Sequence, residues 1–465
     1  MKKIFLLLIF SVFCSQAQNK QLLYNFAGIP QNLLANPGSD VQYEWYVGVP
    51  LLSGLSVQFG SNGISAYDLF AKNNVDFNDK LRLVIASASA KDKIMIQEQI
   101  EIFSGGIKLG DWESNSYLSF GLYQEFNALS YVPKDPAVLA LEGNQNYIGK
   151  SFNLDDINFK SEMLSVWHIG YRKNFNDKVV LGARAKLYSS GFTVNSTDNS
   201  GYISTTDQNK NAIYNQIISS NLQVQTSGVS KYLEDEYEGN IGNDIARNTF
   251  FNGNLGLGFD LGLTYYPKKE WQLTASVLDL GFVRHSKDIA TYTYKGYYKY
   301  DGVNPDFSNP EEPEDVFDSF ETAIPRDTVY NKFTTWRPVK FNASAQYSFG
   351  KPRSESCNCD VATAAYQNAF GLQFFAMSMP KTPFVALTAF YQRVFFNQLY
   401  FKTAYTVDSF SYTNIGLGVS ANLGRMNIYT LVDNILEYRD VSKANSLSFQ
   451  FGLNYVIPQK NNFHD

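Results

Sequence analysis

Few residues of this chain could do covalent chemistry. It holds three histidines, His168, His285 and His464, and three cysteines, Cys14, Cys357 and Cys359. A hydrolytic site needs a nucleophile, a base and a group that orients the base. No spacing ties these histidines to a nucleophile, so the expectation is a protein that is not an enzyme, with no catalytic residue and no cofactor. Cys357-x-Cys359 supplies two thiols, fewer than the four ligands of a structural zinc site. It is also too sparse for a disulfide scaffold. A loop pair, free or bridged, is expected. Gly253-x-x-Gly256-x-Gly258 has the glycines of a nucleotide loop but no helix after them. It reads as small residues on one face of a strand.

Segment 301–327 sets nine acids (Asp301, Asp306, Glu311, Glu312, Glu314, Asp315, Asp318, Glu321, Asp327) against one base, Arg326. Calcium takes carboxylate oxygens, yet the spaced pattern of a calcium loop is missing. Like charges repel, and Pro305, Pro310, Pro313 and Pro325 keep the segment irregular, so a solvated loop is expected. No metal site is assigned. More informative are Arg184, Lys186, Asp260, Lys340 and Lys402, which sit on the polar parity of strand-like segments. On a lipid face, a mid-membrane Lys or Arg would cost about 2–4 kcal/mol. These five are therefore expected to line a lumen. There they would mark either a solute path or a polar ladder that closes a plugged barrel.

The elements that must position them alternate with period two. Val339, Phe341, Ala343, Ala345 and Tyr347 stand against Lys340, Asn342, Ser344, Gln346 and Ser348. Leu255, Leu257, Phe259, Leu261 and Leu263 stand against Gly256, Gly258, Asp260 and Gly262. Alternation over about 9–11 residues is the length and pattern of a tilted membrane strand. Soluble strands usually run about five or six residues. Strands are predicted near 41–49, 99–109, 116–126, 164–174, 178–188, 255–266, 270–280, 338–349, 367–377, 383–392, 398–407, 414–423, 427–435 and 446–457. They make an all-β, antiparallel up-and-down transmembrane barrel of about 14 strands, the even number such barrels require.

The links 110–115, 175–177, 267–269, 393–397 and 424–426 are short, and 61–98, 127–163, 189–254 and 281–337 are long. Short links belong to the periplasmic side and long ones outside, with 350–366 the one long link on the short side. Segment 189–254 reads as a polar excursion with a short helix starting at Lys231. Residues 85–100 read as partly helical. His168 falls on the lumen parity, His285 in an external loop and His464 in the tail.

Composition agrees with an envelope protein. Charged residues are 18% and the net charge is −5, which leaves no basic excess for phosphates and argues against a nucleic-acid partner. Aromatic residues reach 15%, with 36 Phe and 31 Tyr, as strands and interfacial girdles favour. Residues 1–17 read as a signal peptide: Lys2 and Lys3, the apolar run Ile4–Phe13, then Ser15-Gln16-Ala17 before the cut. Phe13 stands where a small residue precedes a lipidated cysteine, so Cys14 is not read as an anchor. The barrel domain is 18–465, with 18–40 a candidate plug.

The segments Asn32-Leu-Leu-Ala-Asn-Pro-Gly, Tyr46-Val-Gly-Val-Pro-Leu-Leu-Ser-Gly-Leu, Leu261-Gly-Leu-Thr-Tyr-Tyr-Pro and Leu273-Thr-Ala-Ser-Val-Leu-Asp-Leu-Gly-Phe carry a resemblance. Through nearly the whole mature chain it resembles a family of Bacteroidota outer-membrane barrels known only as a domain of unknown function. In general plan it is similar to long-chain fatty-acid transporter barrels, which have 14 strands and an N-terminal plug. More distantly it resembles the PorP/SprF barrels of type IX secretion. The resemblance implies an outer-membrane location and transfers no site residue. The resemblance implies two roles, a channel or transporter for small, hydrophobic solutes or an accessory or docking barrel of an envelope complex such as the type IX secretion system; an outer-membrane hydrolase is the remaining alternative, against which no nucleophile–base–orienter set is visible. Outer-membrane lipid is the one partner expected in every case.

Overall fold

The computed structural model describes residues 21–26, 28–110, 116–176, 178–209, 213–230, 253–300, 322–352, 366–396 and 398–458. The signal segment, Cys357, Cys359, His464, the helix expected after Lys231 and the acids 301–321 lie outside these residues.

Among the described residues, 21 strands form one antiparallel sheet. In chain order they are β1 (Tyr43–Gly48), β2 (Leu55–Ser61), β3 (Lys93–Leu109), β4 (Ser116–Tyr131), β5 (Ser151–Asn153), β6 (Phe159–Asn176) and β7 (Val179–Ser196). There follow β8 (Ser200–Asn209), β9 (Ile213–Ser227), β10 (Leu255–Lys268), β11 (Trp271–His285), β12 (Ile289–Tyr300), β13 (Arg326–Val329) and β14 (Phe333–Trp336). The last are β15 (Lys340–Pro352), β16 (Tyr366–Met377), β17 (Phe384–Phe395), β18 (Leu399–Asp408), β19 (Asn414–Leu423), β20 (Met426–Asp433) and β21 (Ser446–Pro458). Strands β1 and β2 share one place in the wall, because both pair with β21 on one side and β3 on the other. Counting them once, the wall is a closed barrel of 14 strands. All 14 predicted segments fall on these wall positions.

Burial is inverted relative to a soluble protein. Along β10 the exposed residues include Leu257 at 52%, Phe259 at 57% and Leu261 at 53%, while Asp260 and Thr264 on the opposite parity are at 0%. A surface of this kind is stable only against hydrocarbon. Rings gather at its rim: Trp271 stacks near Tyr347, which contacts Phe349 and Phe370. No helix among the described residues is long and apolar enough to cross a membrane, which says nothing about crossing by strands.

Three expectations change. Residues 85–100 are mostly not helical: α3 (Phe77–Ser87) ends early and β3 begins at Lys93. The run Gln97-Glu-Gln-Ile-Glu is rich in helix formers and hides the alternation of Ile94 and Ile96 with Met95 and Gln97, which the sheet enforces. The long links 189–254 and 281–337 are not simple polar excursions. Strand β7 continues to Ser196, and β5, β8, β9, β12 and β13 pair in that order beyond the wall. Two of these four pairings, β5 with β8 and β9 with β12, join different links, so no single link showed the whole sheet. His285 ends β11 and is fully buried, stacked on Phe333 at 4.6 Å. The other helices are α1 (Asn32–Ala35), α2 (Ala66–Phe70) and α4 (Lys134–Glu142).

Candidate functional site

The interior is built from the N-terminal segment outward. Residues 21–26 and 28–42 lie in the lumen, and inward-facing side chains hold their backbone. Lys402 donates to the Tyr24 carbonyl at 2.6 Å, Gln392 to Asn25 at 2.8 Å, Asn427 to Gly28 at 3.0 Å and Ser276 to Ala35 at 2.8 Å. The turn Asn36-Pro37-Gly38 seats against two paired glycines, Gly182 of β7 and Gly262 of β10. A Cβ on Gly182 would stand 2.0 Å from the Pro37 carbonyl oxygen, and one on Gly262 would stand 2.1 Å from the Asn36 side chain. Only hydrogen at both positions leaves room for the turn. At the end of the segment Asp40 meets Arg172 at 3.1 Å and accepts from the Tyr266 hydroxyl. Burial pushes the Asp40 carboxyl up to about 6, and the Arg172 guanidinium only partly counters it.

Above the turn stands a charge cluster containing four of the five residues expected in the lumen. Arg184 Nε lies 2.8 Å from Asp260 Oδ2, Lys186 Nζ lies 2.9 Å from the same oxygen, and Lys340 Nζ lies 2.8 Å from Asp279 Oδ2. Lys186 also reaches Asp279 at 2.5 Å. Three cations thus share two carboxylates in one connected set of ion pairs. Lys402 is separate. It is fully buried, with its amine 4.4 Å from the Phe390 ring centre and 5.8 Å from that of Phe26. Around it pack Leu22, Leu23, Ile29, Ala404, Tyr429 and Leu431.

Asp279, a residue that the sequence reading did not single out, joins the cluster through a bulge. Strict parity from Ser276 and Leu278 points it at lipid. Its φ of +61° bends β11 there, and the register with β10 slips between Phe259 and Leu261. This bulge turns the carboxylate inward, and the Asp279 amide donates to Asp260 Oδ1 at 2.7 Å. A carboxylate on a lipid parity, just before Leu280-Gly281, was the available signal. A second cluster also escaped the sequence: Arg337 donates to both Glu125 and Glu162, and Lys160 lies 3.3 Å from Glu162.

Two cavities flank the clusters. The lower, about 80 Å³, touches Gln21, Leu34, Arg184, Asp279 and Lys340. The upper, about 440 Å³, lies at the long-link end among Met95, Met377, Met379, Lys160, Glu162 and Arg337. Gln97 and Asn127 line both, and Gln97 Nε2 donates to Asn127 Oδ1 at 3.0 Å.

Among the described residues, His168 and His285 make no triad. His285 Nε2 lies 2.9 Å from Thr335 Oγ1, but its Nδ1 meets no partner among the described residues, so the orienting group is missing. His168 faces inward against Tyr123. No group of three or more His, Cys, Asp or Glu side chains among the described residues could hold a metal.

With the seat of the Asn36-Pro37-Gly38 turn in view, the sequence comparison is decisive at residues 37–433, which match the family of unknown function DUF5723. The chain belongs to DUF5723. No curated protein matches its sequence. Solved structures similar to this DUF5723 member include the toluene transporter TbuX of Ralstonia pickettii, at 10% identity, covering 96% of this chain and 100% of that one, TM-score 0.44. A FadL homologue of Pseudomonas aeruginosa matches at 11% identity over 93% and 95% of the two chains, TM-score 0.41. The toluene transporter TodX of P. putida matches at 8% over 96% of each, TM-score 0.37.

Proposed function

We propose that this DUF5723 barrel is an outer-membrane channel for small, predominantly apolar solutes, closed by residues 21–42. The observation that supports this reading is the upper cavity, whose 440 Å³ and methionine wall suit a small molecule. A solute collects there from the long-link side and passes Gln97 and Asn127 to the lower cavity. It leaves when the N-terminal segment shifts. Five inward charges, Arg184, Lys186, Asp260, Lys340 and Lys402, then act as the frame that holds the segment rather than as the path itself.

The test is a reversible lock. Ala35→Cys with Ser276→Cys joins segment to wall where Ser276 Oγ now donates to the Ala35 carbonyl, with Cys357 and Cys359 replaced by Ser. Release of small apolar solutes from proteoliposomes should stop when the bridge forms and resume on reduction. Equal release in both states would remove the segment as the closure. No release in either state, or from the unlocked parent, would remove the channel.

A second reading, an accessory barrel of an envelope complex, draws on the external sheet. There β5 and β13 are edges among the described residues, and an edge strand offers unpaired backbone groups to a partner. Purification in mild detergent that brings down a stoichiometric envelope protein, together with failed solute release, would favour it.

A further inference from the structure

The upper cavity has two unlike walls. One is hydrocarbon: Met95 and Met377 belong to a cluster with Phe375, Phe384 and Phe410, and Leu129 and Met379 pack against it. The other is charged, and its charges are already spent. Both terminal nitrogens of Arg337 bind carboxylates, one Glu162 and the other Glu125. Lys160 pairs with Glu162 at 3.3 Å and donates to the Trp336 carbonyl at 3.4 Å. Asp198 also lines the cavity. Among the described residues that line the cavity, Lys160 and Arg337 stand against Glu162 and Asp198, and Glu125 behind them occupies the second terminal nitrogen of Arg337, so no cation is left over for a ligand.

A second observation concerns donors. Asn127 lines the cavity, and its Nδ2 is buried and meets no acceptor among the described residues. Arg337 Nε is in the same position. Buried donors without acceptors are costly, and a ligand oxygen is the group that would answer them.

We infer that the upper cavity takes an uncharged amphiphile, with an apolar body against the methionine wall and one acceptor oxygen at Asn127, and rejects the corresponding carboxylate. Alcohols, ketones and esters are the class. A carboxylate would lose its water, find no free cation and meet Glu162 and Asp198. Specificity then comes from repulsion as much as from attraction. The inference rests on the reading of this cavity as the solute site.

The experiment uses the full-length protein in detergent and two photoprobes, an octanol and an octanoate carrying the same alkyl diazirine. Labelled peptides containing Met95, Leu129 or Met377 are quantified by mass spectrometry. The alcohol should label them about tenfold more than the acid, the scale expected when a buried charge lacks a partner. Glu162→Gln removes one carboxylate, keeps the shape and leaves Arg337 held by Glu125. It should raise labelling by the octanoate several-fold and leave the octanol unchanged. Equal labelling by both probes in the parent, or an octanoate signal unmoved by Glu162→Gln, overturns the charge preference and leaves the channel standing. Absence of labelling by either probe at these peptides overturns both.

Discussion

Around β7, β10, β11 and β15 the lumen holds a lattice of ion pairs, Arg184 and Lys186 on Asp260, Lys186 and Lys340 on Asp279. Across the lumen, around β17 to β20, an apolar cluster lies beside buried Thr388, Gln392 and Asn427, with Lys402, Asp408 and Asp433 as the buried ionisable groups. The N-terminal segment matches both. Its first half, Leu22, Leu23, Phe26 and Ile29, packs on the apolar side. Its second half, Leu34 to Gly38, offers carbonyls to Arg184, Ser276 and Thr264 on the charged side. The contrast separates two ways of closing a barrel. One half depends on charges that need each other, and the other on contact area that no single residue controls.

The largest effect is expected in the charged half. Asp260→Ala removes the acceptor of Arg184, Lys186 and the Asp279 amide, leaving two buried cations short of a partner. It should cost about 3–5 kcal/mol, read as a lowered urea midpoint in refolding from detergent. A change under 1 kcal/mol, on the order of an exposed pair, would mean that this half is hydrated and the contrast false. Next comes the seat shared by both halves. Gly262→Ala should cost about 1–3 kcal/mol by overpacking and expose residues 21–42 to added protease. An unchanged digestion pattern would show that the turn does not rest on the glycines.

Acidity probes the end of the segment. The Asp40 carboxyl, raised to about 6 when folded, favours its neutral form inside. Its contribution is complete below the ordinary value near pH 4 and is lost as pH rises through about 6. Hydrogen exchange of residues 21–42 should therefore be better protected in mild acid, once corrected for intrinsic rates. Asp40→Asn should flatten the profile, and a profile steeper in the variant would contradict the assignment. The smallest effect is expected at Lys402. Lys402→Met keeps length among Phe26, Phe390 and Leu431 and removes a buried charge that no described carboxylate pairs. Its stability should stay within about 1 kcal/mol of the parent or rise, as replacing buried ions by matched apolar groups often does. A loss as large as that of Asp260→Ala would erase the distinction between the halves.

Part of this was legible along the chain. Arg184, Lys186, Asp260, Lys340 and Lys402 were assigned to the interior because side chains in a strand alternate sides, and a charge reports its side wherever lipid is the alternative. The same local rule separated 14 wall strands and their short and long links. Asp279 escaped it because one bulged residue reverses parity. Arg337 escaped because its partners, Glu125 and Glu162, are 212 and 175 positions away. The external sheet escaped because its key joins run between links: β8 of 189–254 pairs with β5 of 127–163, and β9 of 189–254 pairs with β12 of 281–337.

The sequence by itself therefore determined the class of the protein, its strand count and which faces meet lipid, since period-two patterning is a property of each strand alone. Only the tertiary structure decided that the lumen charges pair rather than stand in water, and that Asn36-Pro37-Gly38 rests on Gly182 and Gly262. The same holds for the cavity left between methionines and a neutralised arginine. Those outcomes depend on which strands become neighbours when the barrel closes, and closure joins residues that no local pattern relates.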